Sequence, residues 1–193
     1  MKKNKAVLLN LANKLTLSRI LLVPIIVVLL LFPGKWTCLF ATLLFILASA
    51  TDWIDGYVAR RSGTVTSFGK FLDPLADKVL ISSILIMLTQ HGWVPGWIVA
   101  VIVARELMVT GMRAMAMEQG VVIAADKYGK LKTIVQIFAL IPLTLHYRWF
   151  GLNPLPLGSV LLYIALVLTV FSGANYLYAF RNCWNDSHSQ EKE

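Results

Sequence analysis

Six long apolar runs, separated by short polar breaks, set the pattern of this chain. They extend from about Leu17 to Phe32, Trp36 to Arg61, Phe68 to Thr89, Trp93 to Met117, Leu131 to Tyr147 and Leu155 to Phe180. A helix crosses a bilayer with roughly 20 predominantly apolar residues, and the second run is long enough to cross and project beyond. The pattern therefore predicts an all-α integral membrane protein, a bundle of six transmembrane helices forming one domain over residues 1–193. Residues 1–16 form a basic, polar amino-terminal segment, and residues 181–193 a polar tail. The opening MKKNK before an apolar run resembles a signal peptide, but no small-residue cleavage site follows, so a retained first helix is expected. Pro24 is tolerable inside a membrane helix. Pro74 disfavours a helical conformation at Asp73, so the third helix is expected to start late or kink there.

Composition agrees with the pattern. With 58% hydrophobic residues and a mean hydropathy of +0.70, the chain is too apolar for an ordinary soluble domain. A net charge of +8 could suggest nucleic acid, but the basic residues sit at the ends of apolar runs. With six spans and a cytoplasmic amino terminus, both termini lie inside, and every Lys and Arg except Lys35 and Arg148 falls on the cytoplasmic side. That asymmetry is the positive-inside bias. Cys38 and Cys183 form no metal-binding or redox spacing, so neither a disulfide nor a catalytic thiol is indicated. Ser172, Gly173 and Ala174 on the sixth run are small enough for close helix packing, with a partner the sequence leaves open.

Within this apolar frame the acidic residues are concentrated. Asp52, Asp55, Asp73 and Asp77 are the only acids before Glu106. Spaced i, i+3 and i, i+4 on successive helices, each pair projects from one face. Ionisable groups at membrane depth are costly and mark functional sites. A lone Asp near a helix end reads as a solvated cap, but four at these spacings would repel one another without a cation between them. Hard oxygen donors suit Mg²⁺, Mn²⁺ or Ca²⁺. Gly56 and Ala59 share the first carboxylate face and Gly69 stands one turn before Asp73, leaving room for a phosphate to approach the backbone.

A second polar set lies at similar depth. Arg105 and Arg113 are a little over two turns apart on the fourth run and share a face. Lys127, Lys130 and Lys132 lead into the fifth. Guanidinium groups with a lysine suit a phosphomonoester, combining bidentate donors with a mobile charge. The plainer alternative pairs Arg105 with Glu106 and makes the lysines positive-inside anchors.

The pattern D-x2-D-G-x2-A-R-x8-G-x3-D-x3-D is present at Asp52, Asp55, Gly56, Ala59, Arg60, Gly69, Asp73 and Asp77. In this the chain resembles the CDP-alcohol phosphatidyltransferases, integral membrane enzymes of phospholipid synthesis. The segments NLANKLTLSRILLVP, VARELMVTGMRAMAMEQG and DKYGKLKTIVQ are similar to the branch whose acceptor is glycerol 3-phosphate. The resemblance implies two divalent cations, Mg²⁺ or Mn²⁺, held by Asp52, Asp55, Asp73 and Asp77, with Asp77 also the general base. It implies a CDP-diacylglycerol site at Asn13, Thr16, Gly56, Ala59, Arg60 and Thr66, although Asn13 and Thr16 also read as simple helix caps. Arg105, Arg113 and Lys130 would hold the phosphate of glycerol 3-phosphate. The implied protein is a homodimer in the cytoplasmic membrane, its site facing the cytoplasm. A sister transferase using inositol phosphate is the main rival, and an ion-coupled transporter, which would place its charges near the midplane, is a weaker one.

Overall fold

In a computed structural model the chain is described over residues 11–62, 67–118 and 127–190, with side chains described over 16–51, 75–117 and 129–181. Those residues form six α-helices: α1 (Leu11–Leu31), α2 (Lys35–Ser62), α3 (Ser67–Gln90), α4 (Gly96–Glu118), α5 (Lys127–Leu145) and α6 (Leu155–Gln190). The apolar runs thus map one to one onto helices. Several boundaries differ from expectation, α5 among them, which starts at Lys127 rather than about Leu131. The first helix begins at Leu11, inside the segment read as polar, and the last continues through the polar tail to Gln190. The third starts at Ser67 and runs through Pro74 without interruption. Pro74 is the eighth residue of α3, past the four leading N–H groups that lack intrahelical partners, so it gives up one backbone bond, a loss that the packing of α3 on α1, α4 and α5 outweighs.

The inward stripes explain the packing. On α1 the buried positions Thr16, Arg19, Val23, Ile26 and Leu30 recur at intervals of three and four, the period of one helical face. Cys38, Ala41, Phe45 and Ala48 do the same on α2, and Lys132, Gln136, Ala139 and Leu143 on α5. On α6 the stripe is Leu162, Ala165, Thr169, Ser172 and Tyr176. Helix α1 packs on both α2 and α3, α4 on α3 and α6, and α5 on α6, α2 and α3. The α5–α6 crossing is close, since a Cβ placed on Gly158 would stand 2.7 Å from Leu143 Cγ.

One end of the bundle is tied by aromatic and backbone contacts. Helix α3 closes in a Schellman turn, in which Gly92 N–H donates to Thr89 O and Trp93 N–H to Leu88 O, with Gly92 at φ 70°. His91 Nε2 lies 2.7 Å from Leu30 O, and Tyr147 Oη donates to Pro33 O at 3.3 Å. The loops that follow α1, α3 and α5 therefore meet. Trp93 stacks on His146, Trp36 meets Trp149 edge-on, and Lys35 Nζ sits 4.6 Å above the Trp149 ring. The starts of α1, α3 and α5 and the ends of α2, α4 and α6 lie toward the other end. There the same inward stripes turn polar.

The outer surface is strongly apolar. Leu17, Leu21, Ile25 and Val28 are exposed along α1, and Val160, Ile164, Val167 and Phe171 along α6. Among the described residues one helical stretch, Leu155–Arg181, is long and apolar enough to cross a membrane, and Thr16–Leu31 and Lys35–Thr51 form shorter apolar segments.

Candidate active site

At the polar end Asp52 and Asp55 belong to the last turns of α2, while Asp73 and Asp77 belong to the first turns of α3. Only residues 63–66 separate the two helices, so Ser62 and Ser67 stand at most about 19 Å apart. The side chains of Asp52, Asp55 and Asp73 lie outside the described residues, as do those of Asn13, Ala59 and Arg60; so do the surroundings of Gly56 and the whole of Thr66. Asp77 is described. It lines a cavity with Lys78, Ile81 and Ser82 of its own helix, Ile102 and Glu106 of α4, and Thr133 and Gln136 of α5. Three helices thus converge on the last aspartate of the motif.

The opposite wall is an ion cluster. Glu106 Oε1 accepts from Arg105 Nη1 at 3.1 Å and also forms an ion pair with Lys132 Nζ. Arg105 Nη2 donates to Ser172 Oγ of α6 at 2.5 Å. The Lys132 side chain is only 3% exposed and that of Arg105 13%. Charge this far from water must be paired to persist. The Arg105–Glu106 pair left open by the sequence is present. It does not exclude a binding role, because Glu106, which holds Arg105, lines the same cavity as Asp77. Arg113 is exposed, with its guanidinium carbon 5.8 Å from the centre of the buried Tyr176 ring.

Lys130 does not join this cluster. It is exposed, whereas Lys132 is buried against Glu106. Residues two apart on a helix point to nearly opposite sides, so only one can face inward. The pattern carried the answer: Lys132 falls in register with Gln136, Ala139 and Leu143, the buried stripe of α5. Arg19 was missed for the same reason. At the start of an apolar run it reads as an anchor, yet it is 2% exposed and in register with Thr16, Val23 and Ile26. Thr16 is buried as well. With α1 already helical at Leu11, neither Asn13 nor Thr16 stands at an N-cap. Of the small residues of α6, Ser172 and Gly173 find their partner within the chain: it is Arg105, 3.0 Å from where a Gly173 Cβ would lie.

Comparison with known proteins bears on what such a site does. The family model described as CDP-alcohol phosphatidyltransferase matches residues 9–171. A protein of Bacillus subtilis (strain 168) is 46% identical over 179 residues, covering 86% of this chain and 93% of its own length. Its name is CDP-diacylglycerol–glycerol-3-phosphate 3-phosphatidyltransferase. Proteins of the same name from Rickettsia typhi and Sodalis glossinidius are 40% and 39% identical, covering 88% and 90% of this chain and 96% of each relative.

Proposed function

Because this chain belongs to the CDP-alcohol phosphatidyltransferase family, we propose that it transfers the phosphatidyl group of CDP-diacylglycerol to the 1-hydroxyl of sn-glycerol 3-phosphate, giving phosphatidylglycerophosphate and CMP. The observation that carries this reading is the shared cavity. It sets Asp77 of the aspartate motif opposite Glu106, which holds the buried cations Arg105 and Lys132. An acceptor bearing a phosphate needs that basic wall, and serine, choline or diacylglycerol would not.

The reaction forms one P–O bond to the acceptor and breaks the P–O bond to CMP. A diphosphate resists attack because its negative charge repels an incoming oxygen. Asp52, Asp55, Asp73 and Asp77 present only hard carboxylate oxygens, the donor set that suits Mg²⁺ or Mn²⁺. A pair of such cations, when bound, supplies charge neutralisation at the diphosphate. Asp77 takes the proton of the attacking hydroxyl. Arg105 and Arg113, with Lys130 as the resemblance implies and Lys132 paired to Glu106, hold the acceptor phosphate and aim its hydroxyl at phosphorus. Orientation of this kind is worth several kcal/mol, about 7 in favourable cases. Asn13, Thr16, Gly56, Ala59, Arg60 and Thr66 would face the CDP-diacylglycerol head group.

The same reading makes residues 1–193 one membrane domain with six spans and both termini in the cytoplasm. Three features support it: the apolar outer faces of the helices, the aromatic end that carries Lys35 and Arg148, and the basic bias of the other end. The cytoplasm is where nucleotides and phosphorylated acceptors are found. A homodimer fits the family. CMP release from purified protein, assayed with labelled glycerol 3-phosphate and inositol phosphate in parallel, tests the acceptor assignment. Preference for inositol phosphate would refute it.

A further inference from the structure

Helix α6 contributes nothing to the aspartate motif and, among the described residues, none to the cavity lining, yet its inward face meets both arginines of α4. Ser172, Gly173 and Tyr176 follow one another at i, i+1 and i+4, and all three are buried. The Ser172 hydroxyl accepts from Arg105 Nη2 across 67 residues of chain. Gly173 supplies the space in which the arginine stem lies, since a Cβ there would stand 3.0 Å from Arg105 Cγ and 3.4 Å from Nε. One turn on, the Tyr176 ring faces the Arg113 guanidinium at 5.8 Å, within reach of a cation–π contact.

We propose that Ser172, Gly173 and Tyr176 are positioning residues for the acceptor site, fixing the two α4 guanidinium groups from behind. The inference rests on the acceptor reading given above, and it assigns α6 a role in affinity for the phosphorylated acceptor alone. Arginine stems are long and lose much rotamer freedom when ordered. A site that orders them before the acceptor arrives binds that acceptor more tightly. Glu106 holds Arg105 from the α4–α5 side while Ser172 holds it from α6, so the guanidinium is fixed at two of its nitrogens.

The test is a steady-state comparison of purified variants, with KM for glycerol 3-phosphate and for CDP-diacylglycerol measured separately. Ser172→Ala is expected to raise the acceptor KM about tenfold, the scale of one hydrogen bond to a charged group. The lipid KM and kcat should stay within about twofold. Ser172→Thr keeps the hydroxyl and should restore the acceptor KM. Gly173→Val should raise it by displacing the arginine, and Tyr176→Phe should leave it unchanged while Tyr176→Leu raises it. In an Arg105→Ala background Ser172→Ala should add nothing, because groups acting through one another are non-additive. The proposal is overturned if Ser172→Ala raises both KM values alike, leaves both unchanged, or multiplies the effect of Arg105→Ala. If Arg105→Ala itself leaves the acceptor KM unchanged, the acceptor site itself is misassigned and the proposal falls with it. If Arg105→Ala raises it and Ser172→Ala does not, positioning by α6 alone is refuted.

Discussion

Asp77 and Lys132 carry the sharpest residue-level consequences. Asp77→Asn keeps shape and hydrogen bonding but removes the proton acceptor, so turnover should fall by at least about 100-fold. CDP-diacylglycerol binding should largely survive, as equilibrium binding of the labelled lipid would show. Near-normal turnover would refute the base assignment. Lys132 and Lys130 offer a paired test of inward facing. Lys132→Ala strips a buried partner from Glu106 and should cost about 3 kcal/mol of stability in detergent. Lys130→Ala, at an exposed site, should stay within about 0.5 kcal/mol. Equal losses in thermal unfolding would contradict the buried ion pair. The two lysines also mark what could be read from sequence at this scale. Residue types and spacing located the aspartate motif and the basic set. Which lysine faces inward depends on the phase of the α5 stripe, and that phase becomes clear only when charged residues are allowed into it. Arg19 was concealed in the same way, since an inward arginine and a membrane anchor look identical at a helix start.

At the scale of elements, hydrophobic run length located all six helices, because a bilayer-sized apolar run has little alternative to helix. What it could not locate were ends set by polar residues. Helix α1 starts early at Leu11 and α6 continues to Gln190, since polarity ends an apolar run without ending backbone hydrogen bonding. The continuity of α3 through Pro74 has the same lesson: one lost backbone bond and local disfavour at Asp73 are outweighed by the packing of the helix on its neighbours. Packing between elements yields its own prediction. Gly158 lets α6 approach α5 so closely that a Cβ would also stand 3.1 Å from the Leu143 backbone nitrogen, which cannot swing aside. Gly158→Ala should therefore destabilise the fold by about 1–3 kcal/mol, read as a lowered thermal midpoint in detergent. An unchanged midpoint would show that the two helices separate at little cost.

For the whole molecule, the stripes run from apolar at the aromatic end to charged at the other, so packing and chemistry share one bundle. This asymmetry gives the orientation its test. In a variant lacking Cys38 and Cys183, Arg148→Cys should react with a membrane-impermeant thiol reagent added outside intact cells. Ser189→Cys should react only after the membrane is opened. Labelling of both from outside would contradict the proposed cytoplasmic placement of the carboxyl terminus. The central claim is that the aspartates and the basic wall work as one site on a lipid diphosphate and a phosphorylated acceptor. It is tested most directly by CMP release from purified protein given CDP-diacylglycerol, with glycerol 3-phosphate and divalent cation each supplied or withheld. CMP should form only when both are present, cease with chelator and return with Mg²⁺ or Mn²⁺. CMP formed at the same rate without the acceptor, or undiminished by chelator, would contradict it.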